Sequence, residues 1–483
     1  MADTKKNNAP AKSIRKNDRF FLDVTEMNNL GYGVGHLAAG YREDGTVVFV
    51  NGAVTGETVE VVAIKVNKSY IVGKLHKIVT PSPKRESVDL CRAPLGCGGC
   101  IYRAISYEYE KELKREYVEN CFRREGLTDV PVLPVLSTGR VRGYRNKGQY
   151  PVARGKNGIE AGFYAAKSHR LVPATDCALQ PAIFASIVAF LCDFATRHKI
   201  SAYDEESGRG LLRHFYLRAG EGTGEVLVTV VVREANFPHG YEMARELRKR
   251  FPEVVGVLLN VQPENTNVVL GDRYILLEGS PVLHDVLCGR RFSIDPAAFW
   301  QVNHDGAELL YGLARERAML TGKETLLDLY CGIGSIGLSM ADGVKELIGI
   351  EIVPEAVRCA KENAAENGIA NASFYCGDAS SAEAFLSAAE AERGAPIKAD
   401  VVIIDPPRKG TTRELIDCIA ARRIPRVVYV SCGADTLARD CKYFRECGYE
   451  IGEVQPVDLF PRTGHVESVV CLTRGLDNEL PMA

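Results

Sequence analysis

Asp328-Leu329-Tyr330-Cys331-Gly332-Ile333-Gly334-Ser335-Ile336-Gly337 decides the fold. An apolar run reaches an acid, and three glycines spaced G-x-G-x-x-G then open a helical segment. Glycines at such a place let the backbone approach a nucleotide-type ligand. Glu351, at the end of the next apolar run, sits where an acid takes ribose hydroxyls. Taken alone, the motif fits a nicotinamide dinucleotide and S-adenosylmethionine equally. Outward from it, the strand-like runs 326–330, 346–351, 373–376, 401–405 and 427–431 alternate with helical segments. That order is the signature of a doubly wound α/β sheet, which binds ligands at its carboxyl strand ends. Two further strands, 451–458 and 467–473, predict an antiparallel strand added to the sheet edge.

Two strand ends favour S-adenosylmethionine. Cys376-Gly377-Asp378-Ala379 places an acid after the third strand, within reach of an adenine amino group. Asp405-Pro406-Pro407-Arg408 follows the fourth strand, where methyltransferases carry the substrate-facing loop. Amino-methylating enzymes stack an aromatic on the target base after such prolines. Arg408 stands there instead, which disfavours an amino target.

Cys432 ends the run Val427-Val428-Tyr429-Val430-Ser431 and precedes a helix start at Gly433-Ala434-Asp435. A helix N-terminus favours the thiolate, the nucleophilic form, so an exposed reactive thiol is expected; a small packing residue is the competing reading. A pyrimidine carbon does not attack a methyl sulfonium unaided. A thiolate adding to C6 of uracil creates carbanion character at C5, which accepts a methyl group. A base then removes the C5 proton and the thiol is eliminated. Glu467, in Gly464-His465-Val466-Glu467-Ser468, is the candidate base, against the alternative of a solvated strand-end carboxylate. His465 reads as an exposed turn histidine.

The 483 residues, 46% hydrophobic and 25% charged, suit a soluble globular chain of roughly two to four domains. There is no apolar run long enough to span a bilayer and no signal peptide. A net charge of −2 neither announces nor opposes a nucleic-acid partner. The 15 cysteines cannot all pair, and they argue for a reducing cytosol. Cys192, Cys359, Cys418 and Cys447 read as packing residues.

Cys91, Cys97 and Cys100 do not. Three thiols spaced Cys-x5-Cys-x2-Cys in a Gly-rich loop suit soft-metal or iron–sulfur ligation, with a fourth ligand from elsewhere. Zinc and a radical S-adenosylmethionine cluster are rivals. Between the polar, basic start of the chain and the linker at Pro81, short alternating runs predict a small OB-like barrel of four or five strands. Its Lys65, Lys68, Lys74 and Lys77 are candidate phosphate contacts.

The carboxyl-terminal third resembles the RNA uridine-5-methyltransferase family. The likeness rests on the strand-end Ser431-Cys432 before Thr436-Leu437-Ala438-Arg439-Asp440, on His465-Val466-Glu467 and on Phe299-Trp300-Gln301-Val302-Asn303. It implies Cys432 as nucleophile and Glu467 as proton acceptor. Gln301, Tyr330, Glu351 and Asp405 would line the S-adenosylmethionine and base pocket, beside Gly332 of the glycine motif and Asp378 after the third strand, with Phe299 near a flipped base unless it is a core aromatic. It further implies a 4Fe–4S cluster on Cys91, Cys97, Cys100 and Cys177. The chain departs from the pattern at Gly433-Ala434, where the family usually has Asn-Pro or Asp-Pro, so a more flexible loop is expected.

The implied organisation is a multidomain one. Residues 1–16 form a basic disordered tail, 17–80 an OB-like TRAM β-barrel that binds RNA, 81–300 an α+β central domain with the iron–sulfur site, and 301–483 a Rossmann-like α/β methyltransferase. The expected protein is a cytoplasmic, monomeric enzyme that forms 5-methyluridine in structured RNA, 23S rRNA preferred and tRNA the alternative. A non-catalytic RNA-binding protein and an NAD-dependent redox enzyme are the rivals from other classes.

Overall fold

Alternation of Phe20 and Leu22 with exposed neighbours in Arg19–Asp23 builds a strand with one buried face. The computed structural model describes residues 13–41, 44–86, 91, 96–166, 168–377 and 381–475. The chain divides into two compact units. One is Met1–Asp89 with Cys100–Tyr117 and Arg462–His465; the other is Leu90–Gly99 with Val118–Pro461 and Val466–Ala483.

The first unit contains a six-stranded sheet, one strand more than the upper expectation. Its order is Arg19–Asp23, Thr58–Val66, Tyr70–Thr80, Val47–Asn51, Tyr32–His36, Glu26–Met27. The pairing of Val47–Asn51 with Tyr70–Thr80 is parallel and the others are antiparallel. Phe20, Leu22, Val48, Val50, Val59, Val61 and Ile71 form its core, and Ile14 packs into it. Residues 1–12 of the expected tail lie outside the described residues. Lys65, Lys68, Lys74 and Lys77 are exposed.

The second unit carries a seven-stranded mixed sheet over residues 147–279 and, further along the chain, an eight-stranded sheet. On the first of these, Phe184, Ile187, Leu191 and Phe194 of the helix Ala182–Arg197 pack with Met243 and Leu247 of Gly240–Arg250 against Val228, Val230, Val257 and Leu259.

The strands of the eight-stranded sheet are numbered β1 (Thr325–Leu329), β2 (Glu346–Glu351), β3 (Ala372–Cys376), β4 (Val401–Ile404), β5 (Arg426–Ser431), β6 (Glu450–Ile451), β7 (Gln455–Val457) and β8 (Glu467–Thr473). Its helices are α1 (Ser335–Met340), α2 (Pro354–Glu366), α3 (Ala382–Arg393), α4 (Arg413–Ala421) and α5 (Ala434–Glu446). The order is β3-β2-β1-β4-β5-β8-β6, with β7 also paired to β8. Strands β1 to β5 are parallel, as the alternating pattern requires.

The last strand departs from expectation. β8 is antiparallel, but it is inserted between β5 and the short β6 and β7 rather than added at the edge. Val469, Val470 and Leu472 are fully buried, and each such side chain gives ~1.5–3 kcal/mol when covered. Successive residues point to opposite faces, so both faces of β8 are covered.

Candidate active site

The site is built where β4, β5 and β8 end side by side. The β5–β8 ladder runs in register from Arg426↔Thr473 to Ser431↔Ser468. One further step along that antiparallel register brings Cys432 opposite Glu467. Asp405 leaves the adjacent β4, which is paired with β5 through Ile404↔Tyr429. Two carboxyls and a thiol therefore come near one another at the strand ends.

Their electrostatics follow from enclosure. Glu467 is 4% exposed, so the solvated-carboxylate reading fails. Burial, then the charge of Asp405, pushes it up to about 8, against the pull of Arg408. Burial alone raises Asp405 to about 7. Cys432 is half-buried and is pushed up to about 11 by desolvation, Glu467 and Asp405, with Arg408 opposing. The expected resting thiolate is thus not what this setting favours. The helix start and one guanidinium are outweighed by lost solvent and two carboxylates.

The glycine loop lies at the end of β1. Tyr330 takes a positive φ of 65°, uncommon for a bulky residue, and its hydroxyl lies 3.3 Å from Thr411 Oγ1. The Gly332 and Val353 amides donate to the two oxygens of Glu351, each at 3.0 Å, tying loop to β2. A Cβ on Gly332 would meet nothing within 4 Å, so the loop backbone is open to a ligand. A Cβ on Gly337 would instead fall 2.7 Å from Asp328 Oδ2, the atom its amide donates to at 2.9 Å. This third glycine serves helix–strand packing. Asp328 Oδ1 is buried with no hydrogen-bond partner, and burial raises its carboxyl to about 7. A buried acceptor beneath an open loop fits a ligand bearing donor groups, as the amino-acid end of S-adenosylmethionine does. Asp378 lies outside the described residues.

Gln301 is buried, and its carbonyl accepts from Asn146 Nδ2 at 2.9 Å. Trp300 donates to Asp285 Oδ2 at 3.2 Å, and Asn303 caps the helix His304–Ala318 by accepting from Gly306 N. Phe299 alone in this segment is turned out, 69% exposed, which removes the core reading. His465 is exposed, as expected.

Two residues stand in the quoted motifs with no role assigned to them there. Asp328 had a signal, since an acid inside Leu326-Leu327-Asp328-Leu329 breaks an otherwise apolar strand. Asp440 also had one. It stands three residues after Leu437 and four before Phe444, on the buried face of α5.

Among the cysteines, Cys91, Cys97 and Cys177 belong to the second unit and Cys100 to the first. Burial raises Cys177; the Leu179 and Gln180 amides pull it down, and Cys91 and Cys97 are near enough to push it up. Amide donors aimed at a sulfur suit a bound thiolate. Among the described residues, the groups of three possible ligand atoms lying mutually within 4.8 Å are His198–His239–Glu242 and Glu221–His304–Asp305.

The tRNA (Uracil-5-)-methyltransferase family model matches residues 264–475. "Uncharacterized RNA methyltransferase" chains of Bacillus cereus and Clostridium tetani are 39% and 38% identical to this one; each match covers 95% of this chain, and 98% and 97% of theirs. The Pyrococcus abyssi tRNA (uracil-54, C5)-methyltransferase, solved in complex with S-adenosyl-L-homocysteine, superposes with a TM-score of 0.73 at 26% identity, covering 94% of this chain and 99% of that one. No helix among the described residues is long and apolar enough to cross a membrane. The chain belongs to the RNA (uracil-5-)-methyltransferase family, enzymes dependent on S-adenosylmethionine.

Proposed function

We propose that this enzyme methylates C5 of a uridine in structured RNA through a covalent bond between Cys432 Sγ and C6. The observation that carries this reading is the register of β5 and β8, which sets a buried carboxyl opposite the thiol. Cys432 gives its proton to solvent and attacks C6, C5 takes the methyl group as the donor's sulfonium leaves as a thioether, and Glu467, once deprotonated, takes the C5 proton as the S–C6 bond breaks. Arg408 is the cation that favours both charged forms. Gln301, Tyr330, Gly332, Glu351, Asp405 and, in the undescribed stretch, Asp378 would hold S-adenosylmethionine and the base, while Asp328 offers a further acceptor. When bound, S-adenosylmethionine supplies the electrophilic methyl group and a positive charge. Exposed Phe299 gives the extruded uracil a face to stack on.

The first unit is read as the TRAM-like RNA-binding module, its exposed Lys65, Lys68, Lys74 and Lys77 meeting phosphates. Ribosomal RNA, 23S in particular, is the favoured substrate, because a TRAM module and a cysteine cluster together typify the ribosomal branch. Transfer RNA is the second reading, supported by the likeness to the Pyrococcus abyssi tRNA enzyme. The enzyme is placed in the cytoplasm as a monomer. Deleting the gene is expected to remove 5-methyluridine from one or more 23S rRNA positions, mapped by mass spectrometry of RNase fragments. Loss confined to tRNA would reverse the substrate order, and unchanged 5-methyluridine in both would sink the reading.

Cys91, Cys97, Cys100 and Cys177 would hold a 4Fe–4S cluster. Methyl transfer changes no oxidation state, so the cluster would brace the fold or face RNA. Anaerobically purified protein is expected to carry about four irons per chain with a visible absorbance shoulder. Cys177→Ala should lose both, and zinc in their place would refute the assignment.

A further inference from the structure

α5 starts two residues after Cys432 and presents Thr436, Arg439 and Asp440, spaced i, i+3, i+4, on one face. All three grip the loop that descends from Asp405. Thr436 Oγ1 lies 3.2 Å from Arg408 O and 3.0 Å from Gly433 O, which share its one proton, and Arg439 Nη2 donates to Lys409 O at 3.0 Å and Thr411 O at 3.3 Å. Asp440 Oδ2 accepts from Thr411 N at 2.9 Å and from the Tyr429 hydroxyl at 2.6 Å. Its other oxygen takes Arg439 Nε and Nη2 at 2.8 and 2.7 Å. Gly410, at φ 75°, lets the loop close on this carboxylate, since a Cβ there would fall 2.5 Å from Asp440 Oδ2.

The carboxylate thus joins three segments of the site. Tyr429 lies three residues before Cys432, Thr411 ends the loop from Asp405, and the Thr411 hydroxyl reaches the Tyr330 hydroxyl of the glycine loop. Asp440 is 3% exposed and touches none of the groups assigned to chemistry. From this we infer that Asp440, with Arg439 and Thr436, is a positioning residue for methyl transfer, fixing the thiol, the Asp405 carboxyl and Tyr330 relative to one another. The inference rests on the proposed roles of Cys432 and Asp405.

The test is single-turnover methylation of an unmodified rRNA transcript by cluster-loaded enzyme with labelled S-adenosylmethionine, fitting rate and end-point amplitude separately. Misplacement of reacting groups on the ångström scale costs about 10²-fold. Asp440→Ala should therefore slow the rate constant about 10²-fold while the amplitude still reports the folded fraction. Asp440→Asn, which still accepts from Tyr429 or Thr411, should recover to within about tenfold of the parent. Should Asp440→Ala not fold, Arg439→Ala carries the test, because that side chain is half-exposed and its loss empties no buried site; about tenfold slowing is expected. A reduced amplitude with an unchanged rate constant would mean a structural role only and overturn the inference, as would Asp440→Asn as slow as Asp440→Ala. Trapping by 5-fluorouridine RNA separates the two levels. No adduct in the parent enzyme, with Asp440→Ala still slow, removes the covalent reading and the positioning of the thiol, and leaves the positioning of Asp405 and Tyr330.

Discussion

Cys432→Ala is expected to remove the covalent RNA adduct entirely and to lower methyl transfer by at least about 10⁴-fold, the scale at which loss of an essential nucleophile registers. Binding should survive, because the thiol is one half-buried group at a strand end, and the glycine loop and first unit are untouched. The measurement is a denaturing gel of enzyme incubated with 5-fluorouridine RNA and S-adenosylmethionine, beside calorimetry with S-adenosylhomocysteine. The parent enzyme should show the shifted band and the variant none, with cofactor affinity within about threefold. A thiol raised to about 11 is protonated at neutral pH, so adduct formation by the parent should also speed up as pH rises from 6 to 9. An alanine variant that still methylates would end the nucleophile assignment.

Glu467→Gln is expected to act later and to look different. The thiol still attacks and the methyl still transfers, but nothing removes the C5 proton. The adduct should accumulate on ordinary uridine RNA while turnover falls about 10²–10⁴-fold. If the variant releases methylated RNA at the parent rate, another group is the base. The same substitution also tests the burial argument. A carboxyl raised from 4.5 to about 8 binds a proton in the folded state that the unfolded chain has released. Its contribution to stability is complete below pH 4.5 and is lost as pH rises through about 8. Glutamine cannot ionise, so the stability of Glu467→Gln relative to the parent should increase between pH 5 and 9, by on the order of a few kcal/mol. Urea denaturation at several pH values reads this directly. A difference that does not change with pH would show that Glu467 is not held protonated.

The folding units of the site were legible because their signals are local. Three glycines at fixed spacing, an acid closing an apolar run, and Ser431-Cys432 before a helix start are each written within one short stretch of chain. Gln301 and Trp300 could be read from the neighbouring sequence motif, while the outward turn of Phe299 could not. Nor could the insertion of β8 between β5 and β6. The apolar run Val469-Val470-Cys471-Leu472 says that a strand forms there, not which two neighbours it takes.

The sequence by itself determined the strand–helix order, the chemical types at each strand end and the family resemblance, since periodicity and motif spacing need no tertiary contact. The meeting of Cys432 with Glu467 was decided by the β5–β8 register, and the link from Asp440 to Thr411 by helix packing. Only the folded chain decided the protonation of the site as well. A pKa is set by the solvent that distant residues exclude and by charges brought close from elsewhere. That is why a thiol that reads in sequence as a ready thiolate is held in the fold as a thiol facing two enclosed carboxyls.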